Sequence, residues 1–142
     1  MDAVRSRRVA RVLPASWVVV LTAVMMAPTL LPGFVLSYDM VFTPRQDLLP
    51  ASLGVGAGLP RAVPQDAVVA LIETVIPGQI VQKLVLLGIP LLIGFGVLRL
   101  LRGVPLAGRL VAVTLAMWNP FVAERLVIGH WGLLIACGMT PW

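Results

Sequence analysis

The sequence predicts an all-α, polytopic integral membrane protein with three to four transmembrane helices and an interfacial helix in its first outer loop. Three observations carry that prediction. Of the 142 residues, 59% are hydrophobic and only 12% charged, about half the charge of an average soluble domain. The mean hydropathy is +0.99. The remaining charges avoid long apolar runs, and arginines gather in small groups beside those runs. A net charge of +5 with no basic stripe and no interleaved aromatics reads as a topology signal and argues against nucleic acid as a partner. The single cysteine, Cys137, stands in apolar sequence, so neither a disulfide framework nor a Cys/His metal spacing is present.

The elements follow in order within one membrane domain, residues 1–142. Residues 1–14 form a basic tail with Arg5, Arg7, Arg8 and Arg11. Residues 15–36 carry no charge, and at about 1.5 Å per residue this run covers a hydrocarbon core of about 30 Å, so it is the first spanning helix. A secretory leader would have a shorter apolar core and a small-x-small cleavage site. Pro28 and Pro32 are expected to bend or shorten the outer end. The mixed stretch 37–78 holds four of the six acids, Asp39, Asp47, Asp66 and Glu73. Within it "TPRQ" predicts a helix start, with Thr43 as cap, Pro44 at the first helical position and Gln46 three residues after the cap. The glycine-rich "LGVGAGLP" predicts a loop. Residues 64–76 predict an interfacial helix with Val68, Val69, Leu71, Ile72, Val75 and Ile76 on a broad apolar face and Asp66 and Glu73 off it.

Residues 79–101 make the second span, with Gln82 and Lys83 near its entrance and Arg99 and Arg102 at its exit. Gly88, Pro90, Gly94 and Gly96 allow close helix packing or a kink there. Residues 106–118 form a short third span ending at "WNP". Asn119 can cap and Pro120 can open a new helix, so residues 120–142 read as a fourth run, still apolar where the sequence stops. Basic residues crowd the amino terminus and the Arg99 to Arg109 turn, whereas Arg45, Arg61, Lys83 and Arg125 are spread along the other side. By the positive-inside rule the protein is a multi-pass cell-membrane protein with a cytoplasmic amino terminus. The 37–78 loop and the Trp118 to His130 corner then share the outer face. That placement gathers Asp39, Arg45, Asp47, Glu124, Arg125 and His130 at one surface.

Each of these residues carries a plain and a chemical reading. Asp39, just past the first span, is either a solvated loop acid or a general base whose protonation is set by partial burial and nearby arginines. Asp47 follows Arg45 closely, which favours local pairing; two acids without a third oxygen donor make a poor cation site. Glu124 and Arg125 are neighbours, about 100° apart on a helix, and do not pair neatly. Arg125 suits a phosphate because its planar fork binds such oxygens bidentately. His130 is the sole histidine, which excludes a zinc site built on it and leaves an interfacial hydrogen bond. Trp118 and Trp131 fit an aromatic belt.

"YDMVFTPRQDLLP", the interfacial helix after it and "WNPFVAERLVIGHWGLL" resemble the amino-terminal part of large actinobacterial membrane proteins that are similar to the C-type glycosyltransferase superfamily. The similarity covers essentially the whole chain. It implies transfer of a sugar from a polyprenyl-phosphate donor to an acceptor at the outer surface, in contact with the lipid bilayer. On this resemblance Asp39 is the catalytic acid that takes the acceptor's proton. Arg45, Arg125 and His130 are phosphate- or substrate-binding residues, Asp47 and Glu124 are supporting acids, and no metal is assigned. Members of the family have many more spanning helices, so the chain is expected to be either the front of a longer enzyme or a small protein that keeps only the first module. A non-catalytic subunit packing against a larger membrane partner is the alternative, resting on the small residues of "LLGIPLLIGFG". A transporter fragment ranks third, since it would place polar residues at mid-membrane.

Overall fold

The computed structural model describes residues 2–55 and 62–142, with side chains from Val12 onward. The basic tail's Arg5, Arg7, Arg8 and Arg11 side chains, Arg61 and the tip of the glycine-rich loop therefore lie outside the described part. Among the described residues there is no strand. The chain forms α1 (Asp2–Met26), α2 (Gln65–Glu73), α3 (Gly78–Leu100), α4 (Leu106–Met117), α5 (Pro120–Ile128) and α6 (Trp131–Met139). Three segments are long and apolar enough to cross a membrane: Val12–Leu30, Gly78–Leu100 and Leu106–Ile128.

The first span begins and ends earlier than its charge-free run. The helix is continuous from Asp2 through Pro14 to Met26, then tightens to a 3-10 turn over Ala27–Leu30. Pro28 sits in that turn, and Pro32 lies just beyond it. Neither has an N–H to continue the ladder, so both shorten the carboxy-terminal end of the first span as their positions predict. Lys83 reaches across from α3 and donates its ammonium to the Thr29 carbonyl, placing a cation where helix-end carbonyls gather.

The third span is broken in the middle by one side chain that serves two helices. Asn119 accepts from the Val122 N–H at 3.0 Å and so caps α5. Its amide donates back to the Leu115 and Ala116 carbonyls at 3.1 and 3.0 Å, closing α4. Pro120 takes the first helical position, where its missing N–H is harmless. The 120–142 run is not one helix, however. Gly129 adopts φ +88 and ends α5, and α6 starts afresh at Trp131.

Helix α3 is the hub against which α1, α4 and α6 pack. Apolar burial supplies little association energy when the surroundings are also apolar, so close backbone approach matters more. A Cβ at Gly94 would lie 2.7 Å from both Met117 Sδ and Val18 Cγ1, and one at Gly96 would lie 2.8 Å from Trp142 Nε1. Gly88 meets nothing within 4 Å, so its absent side chain is not needed for packing. Helices α1 and α4 are also joined by the Trp17 indole N–H, which donates to the Thr114 hydroxyl at 2.9 Å. Large aliphatic side chains such as Val19, Val20 and Val24 face outward, while Gln82, Thr22 and Glu73 are buried. The interior is itself mostly apolar, and the outward aliphatic faces suit contact with lipid.

The loop between α1 and α3 departs from expectation at two points. No helix forms at "TPRQ": residues 43–49 are irregular, and the Thr43 hydroxyl donates to the Arg45 carbonyl at 3.1 Å instead of capping a helix. A helix does form within 64–76, as α2 over Gln65–Glu73, but the apolar residues of that stretch divide. Val68, Leu71 and Val75 point outward, while Val69, Ala70 and Glu73 turn inward.

Candidate functional site

The end of α5 supplies free carbonyls, and the loop after α1 supplies the donors that meet them. Gly129 donates to the Arg125 and Leu126 carbonyls at 3.0 and 3.2 Å, and His130 N–H donates to the Arg125 carbonyl at 2.9 Å. This is the hydrogen-bond pattern of a glycine-terminated helix. The next carbonyls along are taken by the other segment: Asp39 N–H donates to Ile128 at 2.9 Å, and the Ser37 hydroxyl donates to Val127. A tight turn from Ser37 to Met40, closed by a 2.9 Å bond from Met40 N–H to the Ser37 carbonyl, presents Asp39 there. A Cβ on residue 129 would lie 2.5 Å from Met40 N. Glycine is therefore required at 129 by conformation and by space together.

The side chains then form a relay. The Asp39 carboxylate Oδ2 lies 2.7 Å from His130 Nε2, and His130 Nδ1 lies 3.0 Å from Arg125 Nη1. A guanidinium has only donors to offer, so Nδ1 must accept and Nε2 must carry the ring proton. His130 thus bridges the two, donating to the carboxylate and accepting from the cation. Arg125 extends the chain to Glu124, 3.9 Å away, and its guanidinium lies 5.5 Å from the centre of the Phe121 ring. The Asp39 and Glu124 side chains are 62% and 58% exposed, whereas His130 and Arg125 are 32% and 28% exposed. The acids are exposed, and the nitrogen groups form the half-buried floor.

A cavity of about 550 Å³ is walled in part by residues on either side of Asp39 and by Leu126 and Val127 after Arg125, with none of the four relay residues in its lining. Ser37 and Met40 form one rim, and Met26, Met117, Trp118 and Leu126 are among the apolar walls. Deeper in, Phe42 and Trp131 pack with ring centres 5.7 Å apart and hold the loop against α6.

The structure brings together Asp39, Glu124, Arg125 and His130 from the sequence-derived set. It does not bring Arg45 or Asp47 to them: both are exposed, and neither side chain pairs with a described residue. Two residues of structural weight at this end carried no functional reading in the sequence. Glu73 is 6% exposed, and its Oε2 accepts the Gln46 N–H at 2.6 Å. Gln82 is fully buried, and its amide clips the strand-like exit from α1 at Val35. No protein-family model, curated protein or solved structure matches the chain.

Proposed function

We propose that the chain forms the donor-site end of a membrane sugar transferase that uses a polyprenyl-phosphate sugar at the outer face of the cell membrane, with the amino terminus in the cytoplasm. One observation carries the reading: an exposed carboxylate and a guanidinium, joined through His130, are borne by the two segments that help to wall an apolar cavity of about 550 Å³. The cavity suits the first isoprene units of a lipid carrier. Arg125 offers charge to the linking phosphate, an electrostatic role that grows as negative charge builds on the leaving group. Asp39 Oδ1 has no partner among the described residues, so it is available to an acceptor hydroxyl. In the step, Asp39 takes the hydroxyl proton as that oxygen bonds to the anomeric carbon. The bond from that carbon to the phosphate oxygen breaks, and its electron pair leaves with the phosphate.

The test uses the chain in lipid nanodiscs with a photoreactive polyprenyl-phosphate sugar, and the same substitutions in any longer protein that contains it. Crosslinks at Met117 or Leu126, together with loss of transfer but not of crosslinking in Asp39→Asn, support the reading. Full transfer by Asp39→Asn, or crosslinks scattered over the outer faces of α1 and α4, overturn it. A second reading, a non-catalytic subunit, is favoured by the shallow burial of the third span, only 17% of which is packed inside the chain. Specific co-purification of a larger membrane chain that covers α4 and α5 would decide for it.

A further inference from the structure

The His130 ring holds an acid on one nitrogen and a cation on the other, and only one of those bonds survives a second ring proton. Nε2 lies 2.7 Å from Asp39 Oδ2, and Nδ1 lies 3.0 Å from Arg125 Nη1. With Nε2 carrying the first proton, a second can go only to Nδ1, where both nitrogens then become donors. We propose that this step is an acid switch, which expels the Arg125 guanidinium from the ring while the ring keeps Asp39. The switch is a property of three side chains and holds whether or not this end transfers sugar.

Protonation replaces the acceptor that Arg125 meets with a donor and sets two cations 3.0 Å apart. At Nε2 the change runs the other way, because the carboxylate gains an ionised donor, and such bonds are the shorter and stronger kind. Tethering decides which group moves. Asp39 is seated by its own N–H on the Ile128 carbonyl, and His130 by its N–H on the Arg125 carbonyl. The guanidinium has no comparable anchor. Its Nε is buried without a partner among the described residues, Glu124 stands 3.9 Å away, and the Phe121 ring centre 5.5 Å away. Glu124 is the more exposed of the pair, 58% against 28%, so rotation toward it carries the guanidinium outward. There its planar fork is open to an anion. On the transferase reading, on which this consequence alone rests, acid favours capture of the donor phosphate and withholds Asp39 as the base.

The other charges of the chain stand apart from these two bonds. Tyr38, beside Asp39, is exposed, and α6 carries no charged residue. Asp66 of α2, whose neighbour Gln65 packs against Gly132, forms no ion pair with the ring or with Arg125. Asp2 and the arginines of the basic tail open α1; Arg11, the last of them, precedes the end of that helix at Met26 by about 22 Å of helical rise. Arg61 lies outside the described residues, and its variant is therefore a control.

The experiment is solid-state NMR of the full chain in phosphatidylcholine bilayers, with the histidine ring nitrogens and the arginine and aspartate side-chain carbons labelled. The sample is titrated from about pH 8 to about pH 5, the interval in which imidazoles commonly change charge. His130 is the only histidine, so every ring signal is its own. The expected result at the alkaline end is one ring proton, on Nε2, with dipolar contacts from the ring to an arginine Cζ and an aspartate Cγ. As Nδ1 gains its proton, the arginine contact is lost and the aspartate contact stays, and the change reverses when the pH is restored. Arg125→Lys should remove the arginine contact at the alkaline end, and Arg61→Gln should leave the whole response unchanged. Persistence of the arginine contact on a doubly protonated ring would overturn the proposal, and so would loss of the aspartate contact in its place. A ring that takes no second proton by about pH 5, or a response abolished by Arg61→Gln, would overturn it equally. The first three of these outcomes are read on the unaltered chain and need no variant to fold.

Discussion

Gln82 and Val35 satisfy each other completely: the Val35 N–H donates to Gln82 Oε1 at 2.8 Å, and the Val35 carbonyl accepts from Gln82 Nε2 at 2.7 Å. A side-chain amide thereby stands in for a neighbouring peptide at a point where α1 has ended and no sheet or helix partner exists. Gln82→Leu removes both partners in a buried place. Each orphaned backbone group costs about 1–3 kcal/mol, so the variant should lose about 2–6 kcal/mol in reversible unfolding in mixed micelles. Gln82→Glu keeps one acceptor and loses the donor, and should be at least as damaging. An unfolding curve for Gln82→Leu that superimposes on that of the unaltered chain would show that the clip is dispensable.

Gly129→Ala tests how the Asp39 turn is seated. A left-handed backbone costs a residue with a Cβ about 1–2 kcal/mol, and here the new carbon would also press on Met40 N at 2.5 Å. The expected result is a loss of about 2–4 kcal/mol, with faster hydrogen exchange at Asp39 N–H. Asp39 N–H should be the more telling probe, because it donates directly to the Ile128 carbonyl.

The tautomer of His130 is a spectroscopic prediction. With Arg125 donating to Nδ1, nitrogen NMR of selectively labelled protein should find the ring proton on Nε2. Asp39→Asn should leave that proton in place but weaken the bond it makes. Arg125→Gln should leave Nδ1 without its charged donor and let the two tautomers mix. A proton found on Nδ1 in the unaltered chain would break the proposed order of the relay.

Asn119 can be dissected with two variants. Asn119→Asp keeps an oxygen for Val122 N–H but has no donor for the Leu115 and Ala116 carbonyls, and it brings a charge into the third span. Asn119→Ala loses both functions. Loss of an N-cap alone costs about 1 kcal/mol, so alanine should destabilise by at least that amount. Aspartate should exceed it if the two returned hydrogen bonds and the neutral amide matter. Thermal unfolding in detergent ranks them, and an aspartate variant as stable as the native chain would reduce Asn119 to a simple cap.

The first two spans were legible because uncharged runs of helix length have few other uses, whereas Asn119 with Pro120 predicts a boundary between a third and a fourth run and the structure carries one candidate span, Leu106–Ile128, across it. Other features depended on contacts between distant positions. "TPRQ" has the composition of a helix start, yet only five residues separate Pro44 from Pro50, and the residue before a proline resists the helical region. Gln46 gives its N–H to Glu73 instead. Nothing local to Glu73 marks it as buried, because its partner is 27 positions away. The sharing of one end by Asp39 and His130 was readable from the alternation of spans. Their contact was not, although one signal pointed to it: Gly129, placed just after the last apolar residue of α5, has the signature of a helix stop, and that stop turns His130 back toward the loop.

Asp39 is held in place by main-chain bonds at Ile128 and by a glycine that has no side chain to vary. Its location is thus independent of what residue 39 is. A substitution there changes what the surface can do without changing where it does it, so the turn behaves as a socket. Mutational scanning at 39 should therefore yield folded proteins for most residue types, while position 129 tolerates almost none.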